Sequence, residues 1–195
     1  MPPKAKYTRE EIINKAYEVT REKGMEAVVA RELGKALGTS SSPIFTAFKN
    51  MEEVQAEVRK RALQEFADYV SDALNYIPAF KYVGMRMIEF ARKEPKLFQL
   101  IYFRGQDGGQ SFSALVEGLG DTAEACMKIM QKDYKLTEGE AKVLFEQTWL
   151  QTFGICALVA ENVCTMTMEE ISRMLNIGFQ GALLFVKGGT KPAGR

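Results

Sequence analysis

Three consecutive serines, Ser40, Ser41 and Ser42, precede Pro43 and form the clearest pattern of residues suited to binding chemistry. Pro43 fits the first turn of a helix, where no intrahelical amide hydrogen bond is lost. Serine hydroxyls at the start of a helix lie beside unpaired backbone amides, and such amides attract phosphate. Their small size also lets the backbone approach DNA closely. The pattern therefore predicts a helix whose N-terminal end contacts a phosphate backbone.

The residue types in the sequence give little support for a catalytic site or a metal site. The 195-residue chain contains no histidine, which excludes serine–histidine and cysteine–histidine catalysis and histidine-ligated zinc or haem. The three cysteines, Cys126, Cys156 and Cys164, form no C-x-x-C pair, and we interpret them as small buried residues. We expect no catalytic residues, no metal and no cofactor. An all-α enzyme that uses Asp, Glu, Lys, Cys or Tyr is the weaker alternative.

Composition and charge indicate a folded protein without a strong overall electrostatic field. The hydrophobic fraction of 46% is enough for a substantial core, and a net charge of +1 draws the whole chain neither to nucleic acid nor to a membrane. The N-terminal residues lack the pattern of a signal peptide. The longest apolar run, residues 153–160, is far shorter than the roughly 20 residues needed to span a bilayer. We therefore expect a cytoplasmic protein without membrane contact.

Hydrophobic periodicity and capping signals predict an all-α protein of about nine helices. Capping boxes, each with a glutamate three residues later, begin at Thr8, Asn50, Thr137 and Thr167. A glycine-rich break covers residues 105–109. The predicted helices span residues 8–23, 30–37, 41–48, 50–78, 78–95, 95–103, 111–134, 138–162 and 168–187.

The second and third predicted helices meet at Gly38. Leu33 gives the first of them an inner apolar face, and Ile44 and Phe48 give the second its own. Glycine permits the left-handed residue that a tight helix-turn-helix turn often needs. Such a pair can place its second helix in a major groove, or it can be an ordinary helical corner. The residues alone leave both possibilities open.

Residues 8–54 resemble the DNA-binding domain of the tetracycline-repressor-like (TetR/AcrR) transcription regulators, and residues 90–98 resemble a motif in one group of their ligand-binding domains. This resemblance implies a three-helix helix-turn-helix domain at residues 1–52 and a larger helical ligand-binding and dimerisation domain at 53–187. Residues 188–195 are then expected to form a flexible tail. The residues that carry the resemblance are Ala16, Gly24, Leu33, Gly38, Thr39, Ser40, Ile44, Phe45 and Phe48.

The resemblance further implies a homodimer that places residues 41–48 of each subunit in successive major grooves of a near-palindromic operator. Ser40 and Lys49 would bind phosphates, and Ser42 and Thr46 would contact base edges. Pro43 or Phe45 would meet a thymine methyl group. The residues expected to face DNA are Arg31, Ser40, Ser41, Ser42, Pro43, Phe45, Thr46 and Lys49.

Three positions depart from the family pattern. The family usually has tyrosine where Phe45 stands and lysine where Met51 stands. Its second helix usually starts with threonine or serine, whereas this chain has Val28 and Val29 there. Because each change removes a polar contact to phosphate, we expect weaker DNA binding with a shallower salt dependence than in a fully anchored relative.

The larger domain is implied to bind a small, largely apolar effector that changes DNA affinity, as in a ligand-responsive repressor. Methionine and aromatic side chains suit an irregular apolar cavity, although any one of them can equally be an ordinary core residue. The expected lining residues are Met85, Ile88, Phe98, Phe103, Met127, Phe145, Trp149 and Phe153.

The last two helices are expected to form the dimer interface as a four-helix bundle. Glycine inside these helices costs up to about 1 kcal/mol relative to alanine, which a close helix crossing would explain. The alternative function is a helical ligand- or partner-binding protein with little or no operator binding. The residues expected to interdigitate are Leu144, Thr148, Gly154, Leu158, Phe179, Gly181 and Leu183.

Overall fold

The computed structural model describes residues 7–103, 111–117 and 119–188, and the regular structure of this part is helical, without strands. The predicted all-α fold is confirmed. The predicted break at residues 105–109 and the tail beyond residue 188 lie outside the described residues. The helices are α1 (Arg9–Lys23), α2 (Ala30–Ala36), α3 (Ser42–Ala47), α4 (Met51–Ser71), α5 (Ala79–Lys93), α6 (Pro95–Tyr102), α7 (Phe112–Glu117), α8 (Asp121–Tyr134), α9 (Glu138–Ala160) and α10 (Met168–Lys187).

Of the four predicted capping boxes three form completely, whereas at Asn50 the described residues show only the hydrogen bond from the Glu53 amide to the Asn50 side chain. At α1 the Glu11 amide donates to the Thr8 hydroxyl over 3.2 Å, and the Glu11 carboxylate accepts from the Thr8 amide over 2.7 Å. The same reciprocal pairs start α9 at Thr137 and α10 at Thr167. Each box satisfies two backbone amides that would otherwise have no intrahelical partner. Their hydrogen bonds also hold the pKa of each capping glutamate below its ordinary value.

The predicted single helix at residues 111–134 is wrong, because the structure divides it into α7 and α8. Gly120 has a φ of +53°, in the left-handed region that ends a helical path. Leu119 is buried immediately before it, so the chain turns inward at this point. The division gives ten α-helices in the described part of the chain where about nine were predicted.

The helices form two compact units. Unit 1 contains residues 1–65 and 94–109, and therefore α1, α2, α3, the first part of α4, and α6. Its core includes Ile12, Leu33, Ile44 and Val58, all fully buried. Helix α6 packs against α1, and Arg21 of α1 pairs with Glu94 at 2.9 Å just before α6 begins.

Unit 2 contains residues 66–93 and 110–195, with α9 at its centre. Helix α9 packs against α5, α8 and α10, and its buried side chains include Leu144 and Ile155. It is also the one helix in the described residues that is long and apolar enough to cross a membrane by length and composition. Contacts with three neighbouring helices account for that apolar character within the unit.

The compact units divide the chain differently from the predicted domains at residues 1–52 and 53–187. By contacts, the first part of α4 and all of α6 belong with the three N-terminal helices. The functional boundary near residue 52 stays a prediction. Among the cysteines, Cys126 and Cys156 are buried as expected. The expectation is wrong for Cys164, which is exposed in the segment between α9 and α10.

Candidate nucleic-acid interface

Two glycines shape the connection between α2 and α3. Gly38 has a φ of +67°, the left-handed conformation that the sequence predicts for this turn. Gly34 allows the turn to close onto α2, because a Cβ added there would lie 3.0 Å from the backbone carbonyl carbon and oxygen of Ser40. The Thr39 amide then donates to the Gly34 carbonyl over 2.9 Å. Helix α3 is therefore fixed relative to α2 by backbone packing within unit 1.

Helix α3 is one residue shorter at each end than predicted, with Pro43 in its first turn as expected. Its inner face is held by Ile44 and by Phe48 just after the helix, and both are buried. All the residues expected to face DNA are accessible at least in part. Arg31, Ser40, Ser42, Phe45, Thr46 and Lys49 are exposed, and Ser41 and Pro43 are half-buried.

The hydroxyls at the start of α3 are not consumed by capping. Ser41 occupies the N-cap position in a helical conformation and makes no side-chain capping hydrogen bond to the described residues. It lies with Ser40 along an open groove of about 530 Å³ that Arg31 and Lys35 also line. Thr46 differs, because its hydroxyl donates to the Ser42 carbonyl over 3.1 Å. Its methyl group and its oxygen lone pairs are what remain for a ligand.

Arg9 joins the end of α3 to α1 and α4, a role that sequence reasoning missed. Its guanidinium donates to the Ala47 carbonyl over 2.7 Å and pairs with Glu53 at 3.0 Å. It also lies over the Phe48 ring, 4.0 Å from the centroid. The Lys49 amide donates to the same Glu53 carboxylate, and this bond and the one from Arg9 lower the pKa of Glu53. The partners of Arg9 are distant in sequence, so no local pattern reveals them.

Tyr7 makes a second contact that the sequence analysis missed. Its hydroxyl donates to the carbonyl of Leu37, at the turn that follows α2. The segment before α1 is thereby tied to the helix-turn-helix connection. The Thr8 capping box lies between Tyr7 and Arg9. It was the only sequence pattern that indicated structure in this segment.

The three departures from the family pattern are all visible on this surface. Phe45 is 49% exposed and presents an apolar ring where a tyrosine hydroxyl is usual. Met51 is half-buried at the first position of α4. Val29 is the exposed N-cap of α2 and makes no side-chain hydrogen bond to the helix start among the described residues. None of these side chains can donate a hydrogen bond to phosphate.

The residues expected to line an effector cavity are distributed over both units. Phe98 is buried in unit 1 with the Phe103 ring 5.9 Å away, whereas the other six belong to unit 2. Met127 and Phe145 line a groove between α7, α8 and α9, and Met85 and Ile88 lie on α5 without lining it. Their role in ligand binding stays a prediction.

Trp149 and Phe153 form the clearest aromatic pair of the expected set. Their rings stack at a centroid distance of 5.0 Å and an angle of 10°, and the Phe112 ring meets Trp149 edge-on at 5.4 Å. The indole N–H of Trp149 is buried and has no hydrogen-bond acceptor within the described ranges. A buried indole normally finds such a partner.

The expected dimer residues separate into two groups. Leu144, Thr148, Phe179 and Leu183 are buried inside the subunit, so their assignment to an interface is wrong. Gly154, Leu158 and Gly181 are exposed, as an interface requires. Gly178 also allows a close approach within one chain, since a Cβ added there would overlap the side chain of Gln151 on α9.

A comparison with known protein families matches the helices that form this candidate interface. Residues 12–58 match the family model described as bacterial regulatory proteins, tetR family. The matched segment runs from α1 into α4 and includes every residue expected to face DNA. A comparison with curated proteins gives no match.

Proposed function

The chain carries the DNA-binding domain of the tetR family of bacterial regulators, and we propose that it is a cytoplasmic, ligand-responsive transcriptional repressor without enzymatic activity. It binds a near-palindromic operator as a homodimer. A small, largely apolar molecule in the C-terminal region changes its affinity for that operator.

The accessible face of α3 carries this proposal. Short hydroxyl side chains and the Phe45 ring project from a helix that is fixed on its other side by Ile44 and Phe48. A rigid, partly buried helix can enter a major groove without paying a large ordering cost on binding. Arg31 and Lys35 beside the serine-lined groove add positive charge for phosphate.

Apolar stripes on α9 and α10 support the homodimer. Val143, Leu150 and Leu158 recur at helical spacing on the outside of α9. Ile177 and Leu184 do the same on α10, where they are 65% and 72% exposed. Soluble subunits seldom expose contiguous apolar surface of this kind unless another surface covers it. Two such helix pairs together make a four-helix bundle across a two-fold axis.

Glycines within these stripes support close packing of the two subunits. A Cβ added at Gly154 or Gly181 would have no neighbour within 4 Å among the described residues, so packing inside the subunit does not require glycine there. The cost of glycine in a helix is explained if a partner helix approaches closely at these positions. Val143, Leu150, Gly154, Leu158, Ile177, Gly181 and Leu184 are named the dimer face below.

The effector changes DNA affinity because it binds one conformation of the dimer, either the one that fits DNA or the one that does not, more tightly than the other. A coupling of about 1–3 kcal/mol is typical for such regulation. Helix α4 contributes residues to both compact units and so connects them through the chain. The aromatic and methionine residues of unit 2 supply apolar surface for the effector.

A gel-shift assay tests the DNA-binding part of this proposal. Duplexes from the regions upstream of the chain's own gene and its neighbours are titrated with wild-type protein and with Ser42→Glu, which adds a negative charge on the exposed end of α3. We expect wild type to shift at least one duplex and Ser42→Glu to lose it, because the new carboxylate faces phosphate.

The matched control is Thr165→Glu, which adds the same charge at an exposed residue between α9 and α10. It should bind like wild type. The proposal fails if wild type shifts none of these duplexes more strongly than an unrelated DNA, or if Ser42→Glu binds as well as wild type.

The second candidate is a ligand- or partner-binding protein with little operator binding. The exposed Phe45 ring and the exposed Val29 side chain favour it, because both are apolar where the family pattern supplies hydroxyl groups. A dimer that binds small molecules but shifts no upstream duplex would support this alternative.

A further inference from the structure

A small cavity lies in unit 2 between α5, α8, α9 and α10, with a volume of about 140 Å³. None of the eight residues expected to line an effector site is among the described residues that line it. Gly84 helps to shape it, because a Cβ added there would lie 3.3 Å from the Thr152 hydroxyl of α9. An apolar cavity of about 150 Å³ is large enough to hold benzene, so this one accepts a single aromatic ring.

The walls of the cavity are aromatic. The Phe179 ring lies 5.0 Å from the Phe80 ring and 5.2 Å from the Tyr134 ring, measured between centroids. Rings at these distances and tilted angles offer faces and edges to a further ring. Leu175 adds an aliphatic side chain to the lining.

The polar groups of the lining favour an anion over a cation. Of the described lining residues only Lys81 carries a formal charge, and it is exposed. Asn176 and Gln180 add carboxamides, which can donate through N–H or accept through C=O, so the charge of Lys81 sets the preference for an anion. The Thr152 hydroxyl already donates to the Thr148 carbonyl over 2.8 Å and so contributes mainly its methyl group.

The larger groove of about 610 Å³ that Phe112 and Phe145 line lacks this preference. Glutamates and lysines both line it, and Glu124 and Lys128 pair with each other at 2.6 Å. Paired charges of opposite sign do not select an anion. The small cavity therefore has the more specific chemistry.

We propose that the cavity between α5, α8, α9 and α10 binds a one-ring aromatic carboxylate, with its ring against Phe80, Tyr134 and Phe179 and its carboxylate toward Lys81. Binding by itself needs only unit 2. The regulatory consequence, that such a ligand is the effector, rests on the proposed function.

Ligand-observed NMR titrations of the full chain test the proposal with three probes: benzoate, benzamide and acetate. Benzoate has both the ring and the charge, whereas benzamide lacks the charge and acetate lacks the ring. We expect benzoate to bind about fivefold more tightly than benzamide, as for a partly exposed ion pair, and acetate to show no measurable binding. Lys81→Gln should remove the preference for benzoate.

Two variants serve as controls. Lys187→Gln removes an exposed ammonium from the same unit but outside the cavity, and it should keep the preference. Leu175→Phe fills the cavity and should weaken benzoate and benzamide alike. The proposal is overturned if neither aromatic probe binds, or if Lys81→Gln leaves the ratio of their affinities unchanged. Because no DNA is present, failure here leaves operator binding untouched, and a failed gel shift leaves this test untouched.

Discussion

Lys49 and Arg31 are the two positively charged side chains among the residues expected to face DNA, and both are exposed. The others offer hydroxyls, a proline ring or a phenyl ring. Thr46 already donates its hydroxyl proton to the Ser42 carbonyl, so it can meet a base edge only as an acceptor or through its methyl group. The surface therefore offers few charged side chains for phosphate and mostly short side chains for bases, and DNA shape is expected to contribute to recognition.

Replacing Lys49 by alanine should weaken binding to all duplexes by a similar factor, because a phosphate contact carries no sequence information. The slope of log affinity against log salt should fall by about one, the value for one released counterion. Fluorescence anisotropy at several salt concentrations measures both quantities. Lys132→Ala, which removes an exposed ammonium from α8 in unit 2, should change neither. An unchanged slope for Lys49→Ala would mean that Lys49 does not contact a DNA phosphate.

The helix-turn-helix is held by contacts of two kinds. Close backbone packing at Gly34 and the left-handed Gly38 set the angle between α2 and α3. Side chains from outside the motif then fix its ends, with Tyr7 bound to the Leu37 carbonyl and Arg9 to the Ala47 carbonyl. A six-residue helix such as α3 is too short to be stable alone, so these contacts must supply its order.

Gly34→Ala should therefore damage the element although alanine is the better helix former. The added Cβ would press on the backbone at Ser40, and we expect a net loss of about 1–2 kcal/mol in the free energy of unfolding. Urea denaturation measures this, and operator affinity should fall with it. Gly139→Ala in α9 is the matched control, because a Cβ there meets nothing within 4 Å among the described residues. Gly34→Ala would contradict the account if it proved as stable as Gly139→Ala.

The accuracy of the sequence predictions follows the range of the interactions involved. The Thr8, Thr137 and Thr167 boxes act within one turn, and the sequence located all three. The break at Gly120 was missed although Gly118 and Gly120 flank Leu119 in the sequence, because glycine is tolerated inside helices and the burial of Leu119 that makes the chain turn is a tertiary feature. At the candidate site, the accessible face of α3 was predictable because Ile44 and Phe48 are four residues apart and so lie on the opposite, inner face of the helix. Arg9 was not, because its partners are distant in sequence.

At the scale of the whole molecule, α9 and α10 supply both the core of unit 2 and the proposed dimer face. Leu144 and Phe179 point inward, whereas Leu150 and Leu184 point outward. Because α9 is apolar around most of its circumference, periodicity alone could not decide which of its faces is the interface. Twin DNA-binding domains bind far more tightly than one, since the second half-site is bound at a high effective concentration.

Leu184→Glu should convert the dimer into a monomer, because it places a charge on the dimer face at a residue that is 72% exposed in the subunit. Light scattering should then give one chain mass of 21.9 kDa where wild type gives twice that value. Ile77→Glu is the control, since Ile77 is 94% exposed but does not belong to the dimer face. A wild-type monomer, or a Leu184→Glu dimer, would rule out the proposed interface.

Selection of bound duplexes from a random DNA pool, followed by sequencing, tests whether the protein binds an operator as a two-fold symmetric dimer. We expect enrichment of an inverted repeat whose half-site centres lie about 10 base pairs apart or a multiple of that spacing, as two α3 helices on one side of the DNA require. Enrichment of a single asymmetric site, or no enrichment over the starting pool, would contradict this expectation.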